Sequence, residues 1–321
     1  MAPPLIYTVG RVIADLYANE VNVPLPAVRS FSKYVGGSSA NTAVGLARLG
    51  DPVGLIARVG ADPMGDFIRD ALRREGVNVE MLSTHPSQAT GLALAALFPP
   101  NDSHVWFCGV PNANAGLSVA GINFAAVRSA SALVLAGTLL AEEPGRSAAL
   151  ALLTVARQAG VPVILDVDWR PSFWARPDEV QALYARALAD VSVVLANEPE
   201  LELVGGTPDR ERACQTLLDL GVSEVVAKRG AAGSWDVTPQ GVVYMPAFSI
   251  SVLNTLGAGD GFAAGYVHGY VAGWSAEERL RWASACGALV VSRHSCAEAM
   301  PTRLEVETFL SKHGKEVRRD G

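Results

Sequence analysis

The chain has 321 residues, with 26 Lys+Arg against 32 Asp+Glu for a formal net charge of −6, and 50% of its residues are hydrophobic while 18% are charged. That balance excludes an intrinsically disordered chain, and the acidic surplus argues against a nucleic-acid partner, because phosphate backbones are held by clustered Lys and Arg. A chain of this length buries enough surface to need no disulfide or metal staple, yet its 31 glycines exceed the usual ~7% and require a reason.

The start, MAPPLIYTVG, lacks a basic region followed by an unbroken apolar run, so it reads as a first strand over Leu5–Val9 rather than a signal peptide. A helical pattern after Ser39, a strand over Val53–Val59 and a helix over Phe67–Arg74 follow. Later come a strand over Ala132–Ala136, a helix over Arg146–Gln158, a strand over Val163–Val167, a helix over Glu179–Ala189 and a strand over Val191–Ala196. Glu224–Ala227 closes the series, Phe248–Leu253 is strand-like, and Phe262–Ala272 is helical. Short apolar strands alternating with helices predict an α/β fold with a doubly wound, mostly parallel sheet. Two strand-prone segments, 12–35 and 91–110, have no helix between their strands. They either pair with each other as a small lid or lie at the edges of the main sheet. Residues 1–314 are expected to form one domain, with 315–321 as a frayed tail. The apolar run Gly261–Trp274 is shorter than the ~18 residues of a membrane span, so no membrane association is expected. Cys108, Cys214, Cys286 and Cys296 are scattered without a CxxC pair, which suits free thiols in a reducing, cytoplasmic setting.

The glycines cluster informatively. In Asn254–Phe262, NTLGAGDGF, the small residues Gly257, Ala258 and Gly259 let an anion approach backbone N–H groups that open a helix. Asp260 on its first turn either caps that helix or faces whatever reacts at the anion site. No Gly-Lys-Ser/Thr follows, as a Walker A loop requires, and the spacing does not fit a dinucleotide fingerprint, which argues against a dehydrogenase. In GGSSANTAVGLARLG, Gly36 and Gly37 either admit a ligand against the backbone or make a tight turn, and Asn41 offers a donor and an acceptor to a hydroxyl. Asp15, inside the apolar run VIADLY, has to be paired or face a cavity. Gly261, Gly265, Gly269 and Gly273 lie on one helical stripe and suit close helix packing rather than chemistry.

These two motifs, together with GLIARVGADPMGDFIRDALRREGV, resemble those of the ribokinase-like (phosphofructokinase-B) carbohydrate kinases, and the likeness runs from Val9 to Leu310. The resemblance implies transfer of the γ-phosphoryl group of ATP to a sugar hydroxyl, on a doubly wound sheet carrying a small β lid. It implies Asp260 as general base, with Gly257, Ala258, Gly259 and the Asp260 amide as the anion hole. Asp15, Gly36, Gly37 and Asn41 would bind the sugar. Asn197-Glu198-Pro199-Glu200 matches the family's Asn-x-x-Glu motif, implying that Asn197 and Glu200 border the phosphates and that Glu200 holds Mg²⁺ through water; a plain acidic helix start is the other reading. Lys228, Gly230 and Gly233 resemble the nucleotide-binding turn, unless Lys228 is simply a surface cation.

A finer likeness, carried by FSKYVGG, LDVDWRPSFW, CGALVVSRHSCAEAMPT and Asn254, is to the 5-dehydro-2-deoxygluconokinase subgroup, which makes 5-dehydro-2-deoxygluconate the expected acceptor. The Asp166–Arg170 spacing is similar to that of 2-keto-3-deoxygluconate kinases, in which the arginine contacts the substrate carboxylate. Arg170 is accordingly assigned to the acid group, the alternative being a salt bridge to Asp166 or Asp168. Sugar-acid kinases of this kind usually carry an aromatic-Arg pair in the lid strand. Here the stretch Trp106–Asn114 has no arginine, and Asn112–Leu117 is more similar to fructokinases and ribokinases, so a neutral-sugar kinase stays open. Asn254, where the wider family carries Asp, is expected to weaken the K⁺ site beside the anion hole. A non-catalytic sugar or nucleotide sensor is the other class, against which the retained Asp260 speaks. Exposed lid edges predict a homodimer through the lid.

Overall fold

The apolar runs assemble around β1 (Ile6–Val9), a strand buried along its whole length. The computed structural model describes residues 3–100, 102–109, 112–176, 179–314 and, by backbone, 318–320. The further strands are β2 (Ile13–Ala18), β3 (Phe31–Gly36), β4 (Val53–Gly60), β5 (Leu82–His85), β6 (Leu92–Phe98), β7 (Asp102–Cys108), β8 (Ala132–Ala136), β9 (Val163–Asp166), β10 (Val193–Asn197), β11 (Glu224–Lys228), β12 (Ser234–Thr238), β13 (Gly241–Met245) and β14 (Arg318–Asp320). The helices are α1 (Ser38–Leu49), α2 (Pro63–Arg74), α3 (Phe124–Arg128), α4 (Gly145–Gln158), α5 (Val180–Leu188), α6 (Glu198–Gly205), α7 (Arg210–Asp219), α8 (Ala258–Val271), α9 (Ala276–Val291) and α10 (Arg303–His313).

Ten strands form the main sheet in the order β14-β13-β12-β11-β10-β9-β8-β1-β4-β5. From β5 to β11 every pairing is parallel, and β12, β13 and β14 then add antiparallel. The parallel strands carry near-continuous apolar runs because helices cover both faces. One core joins α1, α8, α9 and α10 to the sheet, and a second joins α4, α5 and α7 to its other face. Local signals set the helix starts. The Asp62 side chain accepts from the amides of Met64 and Gly65 ahead of Pro63, so α2 begins at the proline.

The segments 12–35 and 91–110 pair with each other, in the order β3-β2-β6-β7, as a sheet separate from the main one. Val110 lies outside the described residues. Tyr17, Ala95 and Leu97 on its inner face pack against Cys296. Phe248–Leu253 is not a strand: the amides of Leu253 and Asn254 both donate to the Val291 carbonyl at the end of α9, at 2.8 and 3.1 Å, instead of joining a ladder. The series also does not close at Ala227. The β12–β13 hairpin extends it with half-buried alternation that lacks the parallel-strand signature. Of the tail expected to fray, Arg318–Asp320 pairs with β13, while 315–317 and 321 lie outside the described residues. A Cβ on Gly261 or Gly265 would come within 2.8 or 2.9 Å of α9 atoms, so the stripe brings α8 and α9 together; Gly273 instead turns the chain after α8. Among the described residues no helix is long and apolar enough to cross a membrane.

Strand order reverses at β1. The chain first builds outward through β4 and β5, then returns to β8 on the opposite side and builds outward again to β11. In an open α/β sheet, the crevice at the carboxyl ends of the strands flanking such a reversal is the natural ligand site.

Candidate active site

The residues at those carboxyl ends are unusually charged. Arg11 follows β1, Thr138 follows β8, Asp166 ends β9 with Asp168 just beyond, Asn197 ends β10, and Lys228 ends β11. Parallel register pairs Ala136 with Asp166, Asp166 with Leu195, and Asn197 with Lys228, which lines them up along one rim.

Lys228 is not a surface cation. Its Nζ lies 2.8 Å from Asp166 Oδ1, with both side chains largely buried. Burial pushes the Asp166 carboxyl up to about 6, with Lys228 pulling the other way. Burial would lower the lysine's pKa, but Asp166 and Glu200 outweigh it and raise it, so the ammonium stays charged. The same Nζ is 3.8 Å from the position a Cβ on Gly259 would take, beside the start of α8.

That start leaves backbone amides open. Gly257 caps α8 at φ +80°, in the left-handed region, and a Cβ there would also press within 3.1 Å of Cys296 Sγ, so glycine is required. The Ala258 amide leans on the Thr255 carbonyl at 3.4 Å, whereas among the described residues the amides of Gly259 and Asp260 have no acceptor. These amides and the helix dipole favour an anion. Asp260 stands half-buried on the same turn, its Oδ2 accepting a 2.7 Å hydrogen bond from Asn41 Nδ2. Burial, reinforced by the charge of Asp168, raises Asp260 to about 7 even though the Asn41 bond opposes the rise.

Asp15 faces the same cleft. Burial raises it to about 7, with Arg11 lowering it and Asp260 raising it. The Asp15 carboxyl occupies the space where a Gly36 side chain would stand, and a Cβ on Gly37 would meet the Arg11 carbonyl at 2.6 Å. Both glycines are thus needed by the protein's own packing. Gly233 is buried with its open side facing the Met245 carbonyl, whereas Gly230 is exposed with nothing near it.

Asp168 holds the centre of the rim. It is one of the few non-glycine residues at positive φ, +42°, a strained conformation that occurs mainly where surrounding contacts impose it. Its Oδ2 accepts from Ser38 Oγ at 2.6 Å, Thr138 Oγ1 at 3.2 Å and Arg11 Nη2 at 3.2 Å, while Arg170 Nη2 is 2.9 Å from Oδ1. Although burial opposes it, the two guanidiniums hold Asp168 below the usual carboxylate range. Arg170 therefore makes the salt bridge, and its side chain remains 45% exposed at the cleft.

Glu200 is a helix cap with capacity left over. Its Oε1 accepts from the Trp169 amide at 2.9 Å and its Oε2 from the Asn197 amide at 2.8 Å, while Asn197 Oδ1 accepts from the Glu200 amide at 2.9 Å, forming a capping box. Each carboxylate oxygen keeps a lone pair for water. Among the described residues no three acidic, His or Cys side chains converge as a metal cage. Asn254, buried, accepts from the Leu256 amide at 3.0 Å and donates to the Ser295 carbonyl at 3.2 Å.

The cleft thus brings together Asp15, Asn41, Arg170, Glu200, Lys228 and Asp260. Sequence reasoning overlooked Arg11, Ser38 and Thr138 and treated Asp166 and Asp168 only as possible partners of Arg170. For Arg11 a signal was present, since in TVGRVIADLY it is as isolated among apolar residues as Asp15.

The sequence matches the profile of pfkB family carbohydrate kinases over residues 4–303. A 5-dehydro-2-deoxygluconokinase of Geobacillus kaustophilus is 34% identical over 311 residues, covering 95% of this chain and 93% of that protein. One from Clostridium perfringens is 35% identical over 318 residues, with 97% and 94% covered. A candidate ribokinase II from E. coli, solved in complex with ATP and Mg²⁺, superposes with a TM-score of 0.90 at 25% identity, covering 97% of this chain and 100% of that one.

Proposed function

Because the chain belongs to the pfkB family of carbohydrate kinases, we propose that it transfers the γ-phosphoryl group of ATP to a hydroxyl of a keto-deoxy sugar acid, with 5-dehydro-2-deoxygluconate as acceptor. The observation that carries this reading is Asp260, a carboxyl raised to about 7 beside free amides at a helix start. A base near neutrality can take a hydroxyl proton and still be ionised in a useful fraction of molecules.

Asn41 holds the Asp260 carboxylate in position as it accepts the proton of the attacking hydroxyl. The amides of Gly259 and Asp260, the dipole of α8 and the Lys228 ammonium stabilise charge on the phosphoryl group in flight. Asp15 and Asn41 receive the sugar's hydroxyls, and Arg170 meets its acid group. Asn197 and the open turn at Gly230 border the nucleotide phosphates. Glu200 would hold Mg²⁺ through water, and the ion when bound neutralises phosphate charge. Both sheets serve as one catalytic unit, 1–314. With free thiols at Cys108, Cys214, Cys286 and Cys296, the enzyme belongs in the ATP-rich cytoplasm. The outer edges of the second sheet, where Trp106 is 61% exposed on β7, are the surfaces through which it would dimerise.

A neutral-sugar kinase is the second reading, favoured by the absence of arginine from β7. A coupled ADP-release assay across 5-dehydro-2-deoxygluconate, 2-keto-3-deoxygluconate, fructose and ribose separates the two. Preference for either acid supports the proposal, and preference for fructose or ribose over both acids refutes it.

A further inference from the structure

Beside the phosphoryl site, the crevice continues into a cavity of about 270 Å³ between the second sheet and the segment after β9. Its walls include Arg11, Phe107, Asn114, Thr138, Phe173 and Trp174. The Arg11 guanidinium carbon sits 4.9 Å from the Phe173 ring centroid and 5.8 Å from that of Phe107, between a residue of each wall. Its Nε donates to Thr138 Oγ1 at 3.3 Å and its Nη2 to Asp168 at 3.2 Å. A guanidinium carries five N–H donors, so three remain. The Asp168 carboxylate is in turn shared with Arg170, Ser38 and Thr138, so two guanidiniums meet one carboxylate here, with Asp15 in electrostatic reach of Arg11 and Glu142 also on the cavity lining. The indole Nε1 of Trp174, buried in the same lining, has no acceptor among the described residues. The unspent donors of a guanidinium held between aromatic rings suit an acceptor-only guest, a small carboxylate.

We infer that Arg11 binds the acid end of the acceptor and sets the enzyme's preference for a sugar acid, in place of an arginine in the lid strand. The inference rests on the sugar-acid reading above. The hydroxyl to be phosphorylated then lies towards Asp260, and the carboxylate enters the cavity. Arg170, half exposed at the rim, meets the same carboxylate from the cleft side and, through Asp168, supports the orientation of Arg11. The fork of Arg11 is anchored at Nε and Nη2 before substrate arrives, so little ordering is required on binding.

The test measures kcat and KM for 5-dehydro-2-deoxygluconate and for the neutral analogue bearing a hydroxymethyl group in place of the carboxylate. It compares the parent enzyme with Arg11→Gln and Arg11→Lys. Losing a charge-assisted hydrogen bond predicts that Arg11→Gln narrows the preference for the acid by roughly 10–100-fold. The change should appear as a rise in KM for the acid well beyond any rise for the neutral analogue, with KM for ATP little altered. Arg11→Lys, which keeps a charge facing Asp168 but loses the fork, should fall between, and it carries the test if Arg11→Gln does not fold. Equal losses on both acceptors, or an unchanged KM for the acid, overturn the inference while leaving the sugar-acid reading intact. A parent enzyme that phosphorylates no acid overturns both.

Discussion

Asp260→Asn separates catalysis from stability in opposite directions. The replacement keeps the shape and an acceptor for Asn41, so the 2.7 Å hydrogen bond survives, but the group can no longer take a proton. Loss of a positioned general base predicts a fall in kcat of about 10²–10⁴-fold. Stability should rise. In the fold the carboxyl sits at about 7 against an ordinary 3.8, so its favourable protonated form is fully present only below 3.8 and is lost as pH climbs to 7. Above pH 7 the ionised group costs the fold at most about 4 kcal/mol. Because the side chain is only half-buried, solvent screening reduces the expected gain on substitution to ~1–2 kcal/mol. Urea unfolding of parent and variant at pH 8 and pH 4 measures it: the gain should be present at pH 8 and nearly absent at pH 4. The parent's kcat/KM should fall as pH drops through 7, when the base becomes protonated. A variant that retains activity within tenfold of the parent, or one less stable than the parent at pH 8, refutes this account of Asp260.

Three further outcomes are expected. Lys228→Met leaves Asp166 buried without its cation and removes positive charge beside Gly259, so steady-state kinetics should show a raised KM for ATP and kcat lowered by about 10–100-fold. Gly257→Ala forces a left-handed residue against Cys296 and should destabilise the protein by ~1–3 kcal/mol in urea titrations. Since the neutral Asn254 amide already donates to the Ser295 carbonyl, replacing K⁺ by a bulky organic cation at constant ionic strength should leave the rate nearly unchanged; a strong K⁺ requirement would contradict this.

Much of the site was legible because its parts are local. NTLGAGDGF announces a helix start with small residues and an acid on the first turn, and Asn197-Glu198-Pro199-Glu200 announces a capping box; both form within a few residues of chain. Where a residue's meaning depended on distant neighbours, sequence reasoning went astray. Gly36 read equally as room for a ligand or as a tight turn, and only the paired strand shows that the Asp15 carboxyl takes the place of its side chain. Phe248–Leu253 had strand composition, yet its last amide is taken by the end of α9.

The sequence by itself determined the layered α/β fold, since apolar strands buried on both faces must alternate with amphipathic helices, and it marked the glycine-rich helix start and the acid on its first turn. Only the tertiary structure decided which charges share the crevice. Arg11 meets Thr138 and Asp168 across 127 and 157 residues of chain, because the sheet reverses its order between β1 and β8. Apolar periodicity dictates that strands are buried but does not specify which carboxyl ends stand side by side; that follows from strand order and crossover connection.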